Sequence, residues 1–370
     1  MSIKTAFYGR LTEMTDHWMD LFGYFAPSVV SDTFEEYRAV RERAGLMDFS
    51  MLRKADLSGP GALGLVDSVV TRDLTKVSPG RIAYSALVDG DGKMVDDCTA
   101  CVYGPDRVRF CGGNDRDAEI LAEAAVSTNV EVRTFTDEMP HLCVQGPLSR
   151  RLLQPITDMD LSNEAFPYYS FRDGVRVGGI PLFMTRLGYT AELGYELWVE
   201  RERAVELFDA LIEAGEPHGM AVIGMDALDL LRVEGGFVIG GVEYDPAVSP
   251  YECGLGWAVD LFKAELRGRK GLERDREATE LRLGSVVLEA GGAGATGAAL
   301  SVDGEQAGFV TQAVSSPFLG GRTLGLAKLR RGRNAVGTRL LAGLGSGTVE
   351  GEVVAHPVYD PKRTRAKGLG

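Results

Sequence analysis

Acidic residues at two places in this chain stand where a carboxylate could do chemistry. Glu196 opens an otherwise apolar segment, Leu197-Trp198-Val199, that follows a turn at 191–194 and is rich in strand formers. A carboxylate inside or beside a core requires donors. A heterocycle with an amino group next to a ring N–H, as in a pterin, offers a matched pair. One carboxylate accepting both fixes the ring's orientation. The plainer reading of this segment by itself is an exposed glutamate at a strand end. Asp96 and Asp97 come after the turn 89–92, at the start of another apolar segment. Neighbours on a strand face opposite ways, so only one of the two can point into a site. The other is then a solvated turn end or a cap.

Other chemistry is poorly supported. Cys98 and Cys101 lie three apart in an expected strand, on opposite faces, with no second pair to complete a zinc site. The histidines His17, His141, His218 and His356 are scattered without ligand spacing, so no metal is expected. Neither a Ser-His-Asp nor a Cys-His arrangement is evident. The five cysteines, an odd number, fit a reducing compartment. A net charge of −13 argues against general nucleic-acid binding. No run approaches a membrane-spanning helix and no signal pattern opens the chain, so a cytoplasmic protein without a membrane partner is expected.

At 370 residues the chain exceeds one ordinary domain. Helices are expected at 33–44, 60–70, 115–126, 147–154, 201–215 and 222–234, with strands at 83–88 and 95–102 and a strand-rich stretch at 175–199. The last ninety residues are glycine-rich, with short alternating strands at 283–288, 299–302, 308–311, 325–329 and 349–354, the pattern of a small β-barrel. Residues 263–280 read as a connector. Pattern alone gives α+β followed by all-β.

Motifs in register along the chain add to this. They include Leu21-Phe22-Gly23-Tyr24-Phe25-Ala26-Pro27, Ala44-Gly45-Leu46-Met47-Asp48-Phe49-Ser50 and Gly92-Lys93-Met94-Val95-Asp96-Asp97. Gln145-Gly146-Pro147, Gly188-Tyr189-Thr190-Ala191-Glu192-Leu193-Gly194-Tyr195-Glu196, Arg232-Val233-Glu234-Gly235-Gly236 and Pro357-Val358-Tyr359 follow. Through them the chain resembles the aminomethyltransferase family, founded on the folate-dependent T-protein of the glycine cleavage system. The resemblance implies a three-domain α+β ring around a folate funnel with a C-terminal small β-barrel. The expected domains are a folate-binding region at 1–140 that includes part of the second, a second α+β domain at 141–262, and the barrel at 280–370.

The resemblance also assigns roles. It places Asp97 beside the reactive nitrogens of tetrahydrofolate, as catalytic residue, and Glu196, Tyr189, Tyr84, Tyr168, Asn114 and Met51 around the cofactor. Arg81, Arg172 and Arg186 are candidates for the glutamate tail. Trp18 and Tyr24, with Phe25, are candidates for holding a cationic methyl donor by cation–π attraction. For Asn114 the plainer role is a helix cap. For Trp18, Tyr24 and Phe25 it is a core cluster.

Departures from the T-protein pattern set the branch. Leu228 stands where the Ala-Arg-Asp arginine is expected, and Ser50-Met51-Leu52 lacks the histidine of Ser-His-Met-Gly. Cys111-Gly112-Gly113-Asn114 replaces the Asn-Ala-x-Asn run. These features resemble the branch that demethylates small molecules, such as dimethylsulfoniopropionate demethylase. The expected function is transfer of a methyl from an S-, N- or O-methylated compound to N5 of tetrahydrofolate. The alternatives are the glycine cleavage aminomethyltransferase, which would need a lipoyl carrier protein, and a non-catalytic folate-binding iron–sulfur assembly factor.

Overall fold

The computed structural model describes residues 2–345 and 347–369. A five-stranded antiparallel sheet is ordered Arg81–Val88, Met94–Gly104, Arg107–Gly112, Arg53–Ser58, Glu131–Thr134. The helices Ala62–Val69 and Arg116–Ala125 cover one face, burying Leu65, Val66, Ile120 and Leu121 against Leu57, Ala100 and Phe110. A six-stranded sheet is ordered Phe171–Val177, Ile180–Thr185, Gly194–Val199, His141–Gln145, Gly45–Asp48, Ala221–Val222. The amphipathic helix Ala204–Gly215 packs Leu207, Phe208 and Leu211 against Leu142, Val144, Leu182 and Leu197.

Strand periodicity decides what the other faces carry. In Gly194–Val199, Tyr195, Leu197 and Val199 point to the helix-covered core, so Glu196 and Trp198 point the other way. In Met94–Gly104 the pairing with Arg81–Val88 shifts register between Leu87 and Val88, a bulge that re-aims the side chains beside it. Asp97 then lies diagonal to Tyr84, whose direct partner is Thr99, and the two share a face.

The C-terminal part is a closed six-stranded barrel of Leu281–Leu288, Arg322–Arg330, Glu305–Ser316, Ala299–Val302, Arg339–Leu344 and Gly347–Val354. Small and branched residues fill it, among them Val286, Leu300, Val310, Ala327, Leu329 and Val353. The sequence reading lacked Arg339–Leu344, which turns only Leu340 and Ala342 fully inward, too few for a clear alternation. The expected connector contains a helix, Arg269–Ala278. Lys270, Glu273, Arg274, Arg276 and Glu277 face solvent, while Leu272 and Asp275 are buried, Asp275 paired with Lys93 at 2.6 Å. The barrel docks through Val314, Leu324 and Leu326 onto the helix Met225–Gly235. Among the described residues no helix is long and apolar enough to cross a membrane, and all five cysteines are free and buried.

Candidate functional site

A cavity of about 1170 Å³ lies between the two sheets, bounded by the loop 236–257 and the segment that follows the barrel. Asp97, Glu196, Tyr84, Tyr168, Tyr189 and Met51 all lie on its wall. They come from 51 to 196 in sequence, and the two sheets bring them to one surface.

Asp97 sits in a knot of acids and hydroxyls. Tyr84 donates to its Oδ2 at 2.8 Å. The Tyr244 hydroxyl lies 2.5 Å from Asp97 Oδ1 and 2.9 Å from Asp96 Oδ1, and accepts from the Asp97 backbone N–H at 3.0 Å. A phenol has one proton, so it can donate to only one of these two carboxylates. The second contact is satisfied when the other carboxyl is itself protonated. Burial, and then the nearby Asp96 charge, push the Asp97 carboxyl up to about 7. Burial also raises Asp96 and Asp117, which approach each other near the backbone N–H groups of Gly113 and Asn114. Asp97 is therefore poised to hold or release a proton near neutral pH.

Both neighbouring aspartates reach the cavity, where strand alternation had allowed one. The bulge beside Asp96 and the Tyr244 hydroxyl bridging the pair account for this. Tyr244 is the cavity residue that sequence reasoning missed most clearly. It lies in an irregular loop 147 positions from Asp97. That loop is pinned by Glu243, which accepts from Arg232 at 2.7 Å, Thr311 at 3.0 Å and the Ile239 N–H at 3.0 Å.

Glu196 forms part of the cavity floor, 8% exposed, with Oε2 accepting from Thr185 at 2.9 Å. Burial raises its carboxyl to about 7. Tyr189 donates to the Val238 carbonyl, and Tyr168 meets Tyr169 edge-on at 4.6 Å. At the mouth, Trp257 is 62% exposed, lies parallel to Tyr84 at 6.0 Å and carries the Arg72 guanidinium 5.5 Å from its ring. The positive charges on the wall are Arg72, Arg81, Arg186, Arg363 and Lys367. Sequence reasoning named only Arg81 and Arg186 among them. His356, also on the wall, meets Ser285 through Nδ1 at 2.9 Å, and burial lowers it to about 4, so the ring is neutral.

Several expected contacts are placed elsewhere. Asn114 opens the helix Arg116–Ala125: its Oδ1 accepts from the Arg116 N–H at 3.0 Å and its Nδ2 donates to the Val95 carbonyl at 3.1 Å. Its amide is used locally, and Gly113 lines the cavity instead. Trp18 and Tyr24 lie in a hairpin, Trp18–Leu21 with Tyr24–Pro27, whose tip residues Leu21 and Phe22 reach the wall. Trp18 packs on Tyr8 at 4.7 Å, and Tyr24 is buried with its hydroxyl on Asp137 at 2.9 Å. Arg172 is off the wall too, bonded to the carbonyls of Phe171 and Ala165 at 2.8 and 2.9 Å.

Two sheets and a barrel closing on one deep cavity, with buried carboxylates beside stacked aromatics, define an α+β fold with a site of the kind that small-molecule enzymes use. Residues 7–263 match the GCVT N-terminal domain and residues 282–360 the glycine cleavage T-protein C-terminal barrel domain. The chain belongs to the glycine cleavage T-protein family, whose members carry out folate-dependent one-carbon transfer. It is 31% identical over 360 residues to the aminomethyltransferase of Halalkalibacterium halodurans, covering 96% of this chain and 98% of that one. It is also 31% identical to the trimethylamine-oxide aldolase of Ruegeria pomeroyi, where 99% of this chain spans 48% of the relative, about half its length. In three dimensions it superposes on the glycine cleavage system aminomethyltransferase T from Bartonella henselae with a TM-score of 0.88 at 22% identity, over 97% of this chain and 99% of that one. That likeness concerns the fold.

Proposed function

We propose that the chain is a tetrahydrofolate-dependent methyltransferase that demethylates a small S-, N- or O-methylated compound, passing the methyl to N5 to give 5-methyltetrahydrofolate. The observation that carries this reading is the pairing of the Asp97 and Glu196 carboxylates with an apolar wall. Leu228 lines the cavity where the family resemblance would put an arginine, beside Leu21, Phe22 and Met51. Such a wall offers apolar contact to a donor's methyl groups.

The residues fit a reduced folate. Glu196 offers a buried acceptor for the pterin's adjacent amino and N–H groups, and Tyr84, Tyr168 and Tyr189 offer aromatic faces and hydroxyls. Arg72, Arg81, Arg363 and Lys367 supply positive charge for an anionic tail. When bound, the cofactor supplies the nucleophilic N5. Asp97 would accept the proton that N5 gives up on methylation, which its near-neutral carboxyl suits. A methyl on sulfonium or quaternary nitrogen is already activated, so the protein's remaining task would be alignment of donor and acceptor.

The relative named for trimethylamine oxide supports N-methylated donors as the first to test. The whole-length similarity to aminomethyltransferases supports a second reading, aminomethyl transfer from a lipoyl carrier protein. One experiment separates them. Protein, tetrahydrofolate and a panel of sulfonium, betaine, methylamine, amine-oxide and aryl-ether donors should yield 5-methyltetrahydrofolate with one donor class. Formation of 5,10-methylenetetrahydrofolate from an aminomethyl-lipoyl carrier would instead select the second reading.

Two further results are expected. Glu196→Ala should weaken tetrahydrofolate binding by about 2 kcal/mol, roughly 30-fold, on the scale of a charged hydrogen bond. Unchanged affinity by calorimetry would remove Glu196 from the pterin site. Trp257 is an exposed indole on the cavity rim, so its emission should shift to the blue as folate covers the rim. The shift should vanish in Trp257→Phe, and a shift that persists there would place the change at another tryptophan.

A further inference from the structure

His141 is the least explained polar side chain beneath the cavity. It is fully buried, and neither ring nitrogen has a hydrogen-bond partner. Buried imidazoles are normally satisfied, and an orphan one calls for a reason. Its neighbours supply one. On the strand His141–Gln145, residues 141 and 143 share a face, and Glu196 is the direct cross-strand partner of Cys143. One nitrogen, one thiol and one carboxylate oxygen therefore gather within 4.8 Å of one another.

We propose that His141, Cys143 and Glu196 bind one divalent transition metal ion of the zinc type, with a fourth position turned toward the cavity. The donor set is the mixture of imidazole, thiolate and carboxylate that suits zinc or cobalt(II) at a tetrahedral site with one open position. Charge favours it. On binding, the Cys143 thiol gives its proton to water, and a thiolate plus a carboxylate balance the two positive charges, leaving a neutral site in a low-dielectric interior. Glu196 on the cavity wall supplies the route of entry. Opposing this is the buried Lys54 ammonium, whose Nζ bonds the carbonyls of Ser50 and Leu52 and lies 5.4 Å from the Trp198 ring. The three donors must also close by about 1 Å to meet ordinary metal–ligand distances. Because Glu196 serves both, metal and pterin exclude each other; this last clause alone rests on the folate reading.

The test uses the full chain, stripped with a chelator and titrated with Co²⁺ without folate. One equivalent should give intense visible d–d bands and a near-ultraviolet thiolate-to-cobalt band, both displaced by Zn²⁺. Cys143→Ser should lose the thiolate band, and His141→Ala should weaken binding at least as much as loss of an outer-shell partner does, about 10- to 100-fold. Cys101→Ser, off the cluster, should keep the full spectrum. Circular dichroism of each variant separates ligand loss from unfolding, and if Cys143→Ser does not fold, Glu196→Gln takes its place as the ligand-loss variant. No tetrahedral spectrum in the parent chain, or an unchanged one in the ligand variants, overturns the site. In a second arm, added tetrahydrofolate should bleach the cobalt spectrum. Folate that binds by calorimetry yet leaves the spectrum intact overturns the exclusion. Folate that does not bind even to the metal-free chain counts against the folate reading and leaves the metal site standing on the first arm.

Discussion

Asp97→Asn should lower turnover by about 10²- to 10⁴-fold, the range for losing a positioned general acid–base group, while making the folded chain more stable above pH 7. The two effects share one cause. Asp97 has a folded-state carboxyl raised to about 7, against about 4 when unfolded. Between those values the native chain binds the extra proton, so this group's contribution to stability falls as pH rises from about 4 to 7 and stays low beyond it. Asparagine cannot ionise, and it keeps the shape of the knot with Tyr84 and Tyr244. The gain at pH 8 relative to pH 5 should be about 1–3 kcal/mol, discounted from a shift of about three pH units because Asp96 shares the cluster. Urea midpoints of both proteins at the two pH values measure it. A stability difference that does not change with pH would mean Asp97 is already ionised in the native state. Undiminished turnover would remove it from the chemistry.

Arg41→Met should destabilise the chain by about 3–5 kcal/mol, the cost of leaving buried charges without their partner. The Arg41 guanidinium reaches Glu234 at 2.8 Å, Glu192 at 3.1 Å and the Thr190 carbonyl at 2.7 Å, with all three charged side chains almost wholly buried. Tyr359 lies under it at 3.6 Å and donates to Glu192; Tyr37 and Ser316 donate to Glu234. The network joins the helix Thr33–Glu42, the turn before the cavity strand, the helix Met225–Gly235, the barrel and the segment after it. Its loss should therefore loosen the barrel's docking. The combined Arg41→Met, Glu192→Gln, Glu234→Gln variant should recover much of the loss, because the uncompensated carboxylates are gone. A single variant that melts with the parent protein would show that the pair is already hydrated, and the network would then not hold the barrel in place.

How much of this was legible beforehand depended on the range of the interaction. The helix Thr33–Glu42 is announced by Asp32, which caps it through Phe34 and Glu35. The helix Ala204–Gly215 is announced by its apolar stripe, and the first strands by alternation beside turn residues. All are local signals. The placement of Tyr84, Tyr168, Tyr189, Asp97 and Glu196 around one cavity came through the family resemblance, since no local pattern links residues a hundred positions apart. Tyr24 shows the limit of reading a motif as a site. Its segment does reach the cavity, but the hairpin turns Leu21 and Phe22 inward and points the Tyr24 hydroxyl to Asp137.

The sequence by itself determined the α+β character, the barrel and the acidic residues available for chemistry, because periodicity, caps and turns are properties of neighbours along the chain. Only the tertiary structure decided which of those acids hold a proton near neutral pH. That depends on burial and on groups brought from afar, as with Tyr244 against Asp96 and Asp97. It also decided that His141, Cys143 and Glu196 share one buried face, because cross-strand register is fixed by how the sheet assembles.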